Sequence, residues 1–336
     1  MLQIKKEDLR NANNFKQTLS NFIEKQKQDI LQKYNVYFET DELGDLLLSA
    51  CRANDFNVVT SPTCNKNFIN EENLLLWIHN KLIPNTVILK IDDIDIIKLL
   101  IFCIEITYQM FSGGTKATIS AKGFRERRRT FETILVDQFT GKLGEVMLKK
   151  FLEKTSPKIK IDLDWKISRE IEKYRTDIIN AEKKISIKSS PSLVGIWAEA
   201  DIGYDYGIMV KCSIPRQPIL QFFIEVCGFT KLLNFAEDKI SSSPDNLFSD
   251  YINKIRERIK KYKCGEIQTD LKAFICGYFN TEKLSPIEKG VKLDYLGEVR
   301  EKRYLVRVNE LKWSTEDWKN FIEEAKFHNP PISKTI

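Results

Sequence analysis

The apolar periodicity of this chain changes at Ser156 and Pro157, and this change limits the possible folds more than any other feature of the sequence. Before it, from about 125 to 152, apolar side chains recur every three or four residues, which is the spacing of one long helix. After it come short segments rich in Ile and Tyr, a composition typical of strands. These strand candidates are residues 174–179, 184–188, 206–212 and 219–227. The pattern predicts an α/β (α+β) fold in which a mixed β-sheet is flanked by helices.

Helical spacing also dominates the chain before this region. It is carried by Phe15, Leu19, Phe22, Ile23, Ile30 and Leu31, and by the apolar stretches 74–78 and 94–110. The run Ser112-Gly113-Gly114 interrupts the pattern, so we expect a helical N-terminal region over 1–112. A core domain is expected over 113–265, and a C-terminal α/β extension over 266–336.

Three smaller elements are predicted after the core strands begin. Residues 192–200 are expected to form a short helix with Trp197 packed inward, and 250–262 a basic amphipathic helix. Residues 303–308 have the composition of a strand. Ser314 is followed by acidic residues, which makes it a good N-cap for a final helix.

Two glycines lie inside the long predicted helix, at Gly141 and Gly144. A glycine in a helix lowers its stability by about 1 kcal/mol relative to alanine. Their presence therefore indicates either the close approach of another backbone or a break between two helices.

Basic residues are concentrated in one stretch of the chain. The whole sequence has 53 Lys and Arg against 47 Asp and Glu, a formal net charge of +6. Between 115 and 154, ten basic residues stand against five acidic ones, a local excess of +5. The basic residues of its most charged run are Lys122, Arg125, Arg127, Arg128 and Arg129. Arginine fits phosphate oxygens and guanine edges, so we expect this run to contact DNA; the alternative is a solvated charged surface.

Cysteine and histidine usage excludes several kinds of site. The seven Cys contain no CxxC pair and the chain has two His, so no zinc-ligand spacing can be assembled. The odd Cys count and the polar N-terminus favour an intracellular, cytoplasmic protein without a disulfide framework. The most apolar stretch, 91–111, is interrupted by charges and predicts a buried helix, not a membrane span. Phosphate-binding and dinucleotide-binding glycine motifs are absent from the sequence.

The segment containing Asp177 and Lys188 reads as strand, polar turn and strand. Side chains alternate along a strand, so Ile185 and Ile187 would enter the core while Ser186 and Lys188 share the opposite face. Asp177, on the neighbouring strand, would reach that face. A carboxylate can hold Mg²⁺, and a nearby ammonium can orient or activate a water beside a phosphate. The pair predicts metal-assisted phosphodiester cleavage; the alternative is an ordinary strand end and turn.

This arrangement resembles the PD-(D/E)xK nuclease superfamily, whose signature is an acid, a short gap, and then acid-x-Lys on the next strand. Asp177 and Lys188 match the first acid and the lysine. Such nucleases usually carry a glutamate on a preceding helix, and Glu145 matches that position. The resemblance covers about residues 125–227 and implies a restriction-endonuclease-like core with a mixed sheet.

The sequence departs from the signature at two positions: Thr176 replaces the proline, and Ser186 replaces the second acid. Some restriction enzymes of this superfamily have Ser-x-Lys and recover the missing carboxylate from the helix that follows. Glu199 and Asp201 follow Lys188 in this chain. We favour Glu199 as the substitute, with Asp201 as the alternative.

The resemblance implies a type II restriction endonuclease, a hydrolase that cuts double-stranded DNA at a short specific site. Its Mg²⁺ would be held by Glu145, Asp177 and Glu199 or Asp201, and Lys188 would position the attacking water. Besides the basic run, the residues expected to contact DNA are Lys142, Ser189 and Ser190.

Such an enzyme is expected to act as a homodimer, in a prokaryotic cell that also makes the cognate DNA methyltransferase of a restriction-modification system. Two alternatives remain open at this point. One is a structure-specific or non-specific repair or recombination nuclease of the same superfamily. The other is a catalytically inactive DNA-binding protein, in which the second acid was lost at Ser186.

Overall fold

The computed structural model describes residues 2–5, 7–60, 66–90, 93–111, 131–165, 176–214 and 270–328, together with Asn253 and Glu257. The predicted strand 219–227 and the predicted helix 250–262, apart from those two residues, lie outside the described residues. The basic run from Lys122 to Arg129 also lies outside them.

The helices within the described residues are α1 (Ala12–Thr18), α2 (Ser20–Tyr34), α3 (Thr40–Ala53), α4 (Glu71–Trp77), α5 (Ile94–Phe111), α6 (Phe131–Thr155) and α7 (Thr315–Ala325). The strands are β1 (Leu2–Lys5), β2 (Val59–Thr60), β3 (Lys66–Ile69), β4 (Thr86–Lys90), β5 (Ile185–Ser190), β6 (Trp197–Ala200), β7 (Tyr206–Ser213), β8 (Asp270–Asn280), β9 (Lys292–Leu293), β10 (Gly297–Glu298) and β11 (Tyr304–Arg307). The prediction of helices interleaved with strands is confirmed.

A four-stranded mixed sheet in the order β4-β8-β7-β5 forms the centre of the fold. β5 and β7 are parallel, and the other two pairs are antiparallel. β4 belongs to the segment for which the sequence predicts helices, and β8 belongs to the C-terminal segment. The expectation of a helical region over 1–112 is therefore incomplete, because Thr86–Lys90 forms a strand that pairs with residues 270–274 of β8.

Both faces of the sheet are covered. On one face, apolar residues of β5, β7 and β8 pack with α5, α6 and α7, and this core includes Phe139, Ile187 and Trp318. On the other face, Met209 and Phe279 pack with the N-terminal helices and with β6 and β11. The sheet is thus a buried middle layer of the described part of the chain.

Helix α6 is unbroken and lies between the sheet and α5. Ion pairs of Lys149 and Lys150 with Asp95 link α6 to α5. α5 is the most apolar stretch of the sequence, and within the described residues no helix has the length and apolar character needed to cross a membrane. Lys142 of α6, which the sequence analysis expects to contact DNA, is buried.

Close approach of α6 to the sheet explains the glycine at Gly144. A Cβ atom built there would lie 1.9 Å from Ser189 Oγ and 2.7 Å from Ser189 Cβ. Ser189 Oγ donates a hydrogen bond to the carbonyl of Gly141, 3.0 Å away. Close approach of a neighbouring element is therefore confirmed at Gly144, whereas no described residue makes such a contact at Gly141.

The predicted helix over 192–200 is wrong. Trp197–Ala200 forms strand β6, which pairs antiparallel with Tyr304–Arg307. Ala198 and Ala200 are buried while Trp197 and Glu199 are half-buried, which is the two-residue alternation of a strand. The partner strand is distant in the sequence, so the segment alone could not reveal the pairing.

The C-terminal predictions are confirmed. The predicted strand 303–308 contains β11, and Ser314 is the N-cap of α7, accepting a hydrogen bond from the backbone N–H of Asp317. Asp317 in turn accepts from the Ser314 N–H and completes a capping box.

We predict that Gly144→Ala lowers the free energy of unfolding by about 2 kcal/mol, because the added methyl group overpacks the contact with Ser189. Gly141→Ala is the matched control: no atom lies within 4 Å of its added Cβ. That control should raise stability by up to about 1 kcal/mol, the usual gain for a helical glycine. Urea unfolding followed by circular dichroism measures both, and equal effects of the two variants would contradict the close contact.

Candidate functional site

Asp177 lies beside β5, which is an edge strand of the central sheet within the described residues. Its backbone N–H donates to the carbonyl of Ile185 (3.1 Å), and its carboxylate Oδ2 accepts from the N–H of Ile187 (2.6 Å). Thr176, at the position of the expected proline, accepts from the N–H of Ile185 through Oγ1 (3.1 Å). Asp177 thus bonds to β5 through its backbone N–H at Ile185 and through its carboxylate at Ile187. These two hydrogen bonds fix the carboxylate at the edge of the sheet. Of the predicted strand 174–179, the described part forms a single bridge, between Ile178 and Leu163.

Glu145 reaches the same edge from α6. Its Oε2 lies 2.6 Å from the ammonium Nζ of Lys142. Burial raises the pKa of Glu145 to about 8; the charge of Lys142 opposes this shift, and the charges of Asp177 and Asp164 add to it. The charge of Asp177 is therefore close enough to disfavour the ionised form of Glu145.

Burial also raises the pKa of Asp177. The hydrogen bond from Ile187 and the charges of Lys188 and Lys142 act in the opposite direction, while the charge of Asp201 adds to the increase. The carboxylate of Asp177 is thus within electrostatic reach of a second acid and of the lysine predicted to accompany it.

Lys188 forms an ion pair with Asp201, with 2.6 Å between Nζ and Oδ2. Asp201 directly follows β6, and the loop after it is held at Asp205, which accepts at Oδ2 from the N–H of Lys184 (2.8 Å). The backbone N–H of Thr281 donates to the carbonyl of Asp205 (3.0 Å). The chain therefore enters and leaves the Asp201 loop at fixed points, and Asp201 is positioned beside β5.

Glu199, the favoured substitute for the second acid, is engaged elsewhere. Its Oε2 lies 2.5 Å from Nη1 of Arg303, a residue that directly precedes β11. The structure brings Asp201, and not Glu199, to Lys188. The geometry therefore favours the alternative, Asp201. The two acids are separated by Ala200 alone, and each forms an ion pair with a different cation.

Tyr204 is a member of the site that the sequence analysis missed. Burial raises its pKa to about 12, and the charges of Asp177, Asp201 and Glu145 contribute to the shift. Its backbone carbonyl accepts from Thr281 Oγ1 (2.6 Å). The Asp-Ile-Gly-Tyr turn that begins at Asp201 carries both an acid and this phenol, a combination that could have drawn attention to it.

The residues expected to contact DNA alongside the basic run have structural partners. Lys142 is buried: its ammonium contacts Glu145 and the carbonyl of Asp164, and it lies 5.1 Å from the ring centroid of Trp165. Ser189 is bonded to α6, and Ser190 Oγ accepts from the N–H of Ser192 (3.1 Å). In this geometry Lys142 supports Glu145 and is not presented to a DNA backbone.

The donor set suits a hard divalent cation. Carboxylate oxygens are the ligands that Mg²⁺ prefers, and a cation would stabilise the charged forms of Glu145 and Asp177 that burial disfavours. Over the described ranges, no three Asp, Glu, His or Cys side chains already converge as a ligand group for a metal ion. Asp201 would complete such a group by turning from Lys188 toward Asp177.

Comparisons with known proteins do not identify the function of this site. Comparison of the chain with protein-family models, with curated proteins and with solved structures gave no match. The chemistry of the site is therefore inferred from the side chains described above.

We predict that stability in the absence of divalent cations falls as the pH rises from about 5 to about 8. Over this range native Glu145 keeps a proton that the unfolded chain, with the ordinary pKa of 4.5, has released. One such proton corresponds to at most about 1.4 kcal/mol per pH unit. Glu145→Gln should flatten the profile, and the exposed Glu282→Gln should leave it unchanged. Urea unfolding in EDTA measures the slope; identical profiles for wild type and Glu145→Gln would contradict the buried acid.

Proposed function

We propose that this chain is a Mg²⁺-dependent nuclease that hydrolyses phosphodiester bonds of DNA, with Asp177 and Lys188 at the centre of its catalytic site. One observation carries the proposal: Asp177, at the edge of β5, lies within electrostatic reach of the carboxylate of Glu145 and of the ammonium of Lys188, and Lys188 is ion-paired with Asp201. Acids and a lysine grouped in this way are the side chains that metal-assisted phosphodiester cleavage needs.

The roles follow from the position of each side chain. Asp177 and Glu145 would hold the cation, and Asp201 would be the third acid in place of the one missing at Ser186. Bound Mg²⁺ supplies a Lewis acid that polarises a phosphoryl oxygen. The ammonium of Lys188 would orient the attacking water beside the phosphate.

Neighbouring residues hold the two acids in the positions that these roles require. Lys142, held by the carbonyl of Asp164, places its charge next to Glu145 and keeps that carboxylate directed at the sheet edge. The N–H of Ile187 fixes one oxygen of Asp177, so the direction of the other oxygen is set by the backbone of β5. A catalytic carboxylate held by backbone geometry loses little entropy when it binds a cation.

DNA as the substrate is supported by the charge of the sequence. The stretch 115–154, with its local excess of +5, includes most of α6, the helix that carries Glu145. A basic segment next to a metal-dependent hydrolytic site favours a polyanionic substrate with phosphodiester bonds.

More specifically, the proposed nuclease is a type II restriction endonuclease that acts as a homodimer, in a cell that also makes the cognate methyltransferase. It rests on the resemblance of the Asp177 to Lys188 segment to PD-(D/E)xK enzymes with Ser-x-Lys. A second candidate is a DNA-binding protein without cleavage activity, favoured by Ser186 at the position of the second acid. The two differ in whether Asp201 can replace that acid.

We expect the wild-type protein to cut unmethylated plasmid or bacteriophage DNA in Mg²⁺, and Lys188→Ala to cut about a thousand-fold more slowly. Loss of the ammonium removes the group that orients the water. Fragment sizing and end sequencing measure the reaction and reveal any specific site. Lys183→Ala, at an exposed lysine five residues earlier in the chain, is the matched control and should cut like wild type.

The possible outcomes separate the candidate functions. Discrete fragments that vanish in EDTA and in Lys188→Ala support a restriction enzyme, and a smear with the same dependence supports a nuclease without sequence preference. Salt-sensitive DNA binding without cleavage would contradict the nuclease and support the inactive DNA-binding protein.

A further inference from the structure

Arg303 lies between the two acids that follow Lys188 in the sequence. β11 pairs with β6 so that Tyr304 faces Ala200, and continuing this register by one residue places Arg303 opposite Asp201. From there the guanidinium reaches diagonally along the same face to Glu199, at 2.5 Å. A single cation from the C-terminal part of the chain therefore forms an ion pair with Glu199 and lies within electrostatic reach of Asp201.

The position of Arg303 is fixed by its backbone. Its carbonyl accepts from the N–H of Ile287 (2.8 Å), and its N–H donates to the carbonyl of Ile287 (3.2 Å). A second guanidinium nitrogen, Nη2, lies 3.2 Å from the exposed carboxylate of Glu301. The side chain is four-fifths buried, with a relative exposure of 19%. An arginine held in this way acts as a fixed charge and not as a mobile surface group.

The acids differ only in which cation each meets. Glu199 is neutralised by Arg303, whereas Asp201 is paired with Lys188 and lies within reach of Asp177. Without Arg303, Glu199 would be a half-buried carboxylate without this partner, two residues from Asp201 on the same side of the chain. It would then compete for Lys188 and for any cation at Asp177.

We propose that Arg303 is a positioning residue that holds Glu199 away from the cation site, so that Asp201 alone serves as the third acid. The proposal rests on the proposed function and extends it to a residue outside the segment that resembles the nuclease signature. It explains how a chain with two candidate acids can use one of them.

The test is a double-mutant cycle between Arg303 and Glu199, with two measurements: calorimetric titration of the protein with Mn²⁺ alone, and the DNA cleavage rate. Arg303→Gln should bind Mn²⁺ about ten-fold more tightly, because the released Glu199 adds an anionic ligand, and should cut about ten-fold more slowly, because the cation is misplaced. Glu199→Gln should match wild type in both measurements. Arg303→Gln/Glu199→Gln should also return to wild type.

Two controls isolate the interaction. Arg300→Gln removes an exposed arginine three residues away and should change neither measurement, which controls for net charge. Arg303→Gln/Glu301→Gln removes the other carboxylate of Arg303 and should behave like Arg303→Gln alone. Thermal unfolding of each variant shows whether the protein remains folded.

Several results would overturn the role of Arg303. Simple damage to the fold would weaken Mn²⁺ binding and slow cleavage together, whereas the proposal predicts tighter Mn²⁺ binding with slower cleavage. Loss of both Mn²⁺ affinity and cleavage rate in Arg303→Gln therefore contradicts the proposal. A double variant no better than Arg303→Gln, or a Glu199→Gln variant that binds Mn²⁺ weakly, contradicts it as well. If the wild type cuts no DNA, the proposed function fails, while the Mn²⁺ titrations still decide the role of Arg303.

Discussion

The contact between α6 and β5 is the constraint on which the rest of the candidate site depends. Gly144 lets the helix backbone lie against Ser189, and the hydroxyl of Ser189 is bonded to the carbonyl of Gly141. Glu145 is the next residue along the helix, so the same contact that packs the core also brings an acid to the sheet edge. A side chain at Gly144 would move the helix and the acid together.

Burial of acids at that edge has an energetic consequence. Charged carboxylates are unfavourable away from water unless they are paired or hydrogen-bonded. This chain provides a lysine to Glu145, a backbone N–H to Asp177 and a lysine to Asp201. These contacts hold the acids in place without fully compensating their burial, and the raised pKa of the first two reflects that imbalance. A divalent cation is the charge that would correct it.

Much of this site could be predicted from the sequence because its central parts are local. Asp177 and Lys188 lie close together in the sequence, and the spacing of apolar residues around Glu145 is that of a helix. The resemblance to the nuclease signature then singles out these three residues. The errors have a common origin in long-range pairing. Residues 197–200 form a strand that pairs with β11, and Glu199 is held by Arg303, more than a hundred residues later in the chain.

The buried position of Lys142 escaped prediction for a similar reason. On a helical wheel it lies with charged residues, but α5 and Trp165 cover that side, and the ammonium finds Glu145 and a carbonyl there. Sequence patterns show which residues share a face, whereas only the packing of other elements shows whether the face reaches water. The sequence predicts a mixed sheet flanked by helices. It does not predict the strand order, which depends on β4 and β8, two strands far apart in the chain.

The most direct test of the central claim is a crystal structure of the protein with a short DNA duplex and Ca²⁺, a cation with the same preference for oxygen ligands as Mg²⁺. The account predicts one Ca²⁺ bound by Asp177 and Glu145, with Asp201 as the third acid and a DNA phosphate beside the ammonium of Lys188. A cation bound elsewhere, or a duplex lying away from the edge of β5, would contradict it.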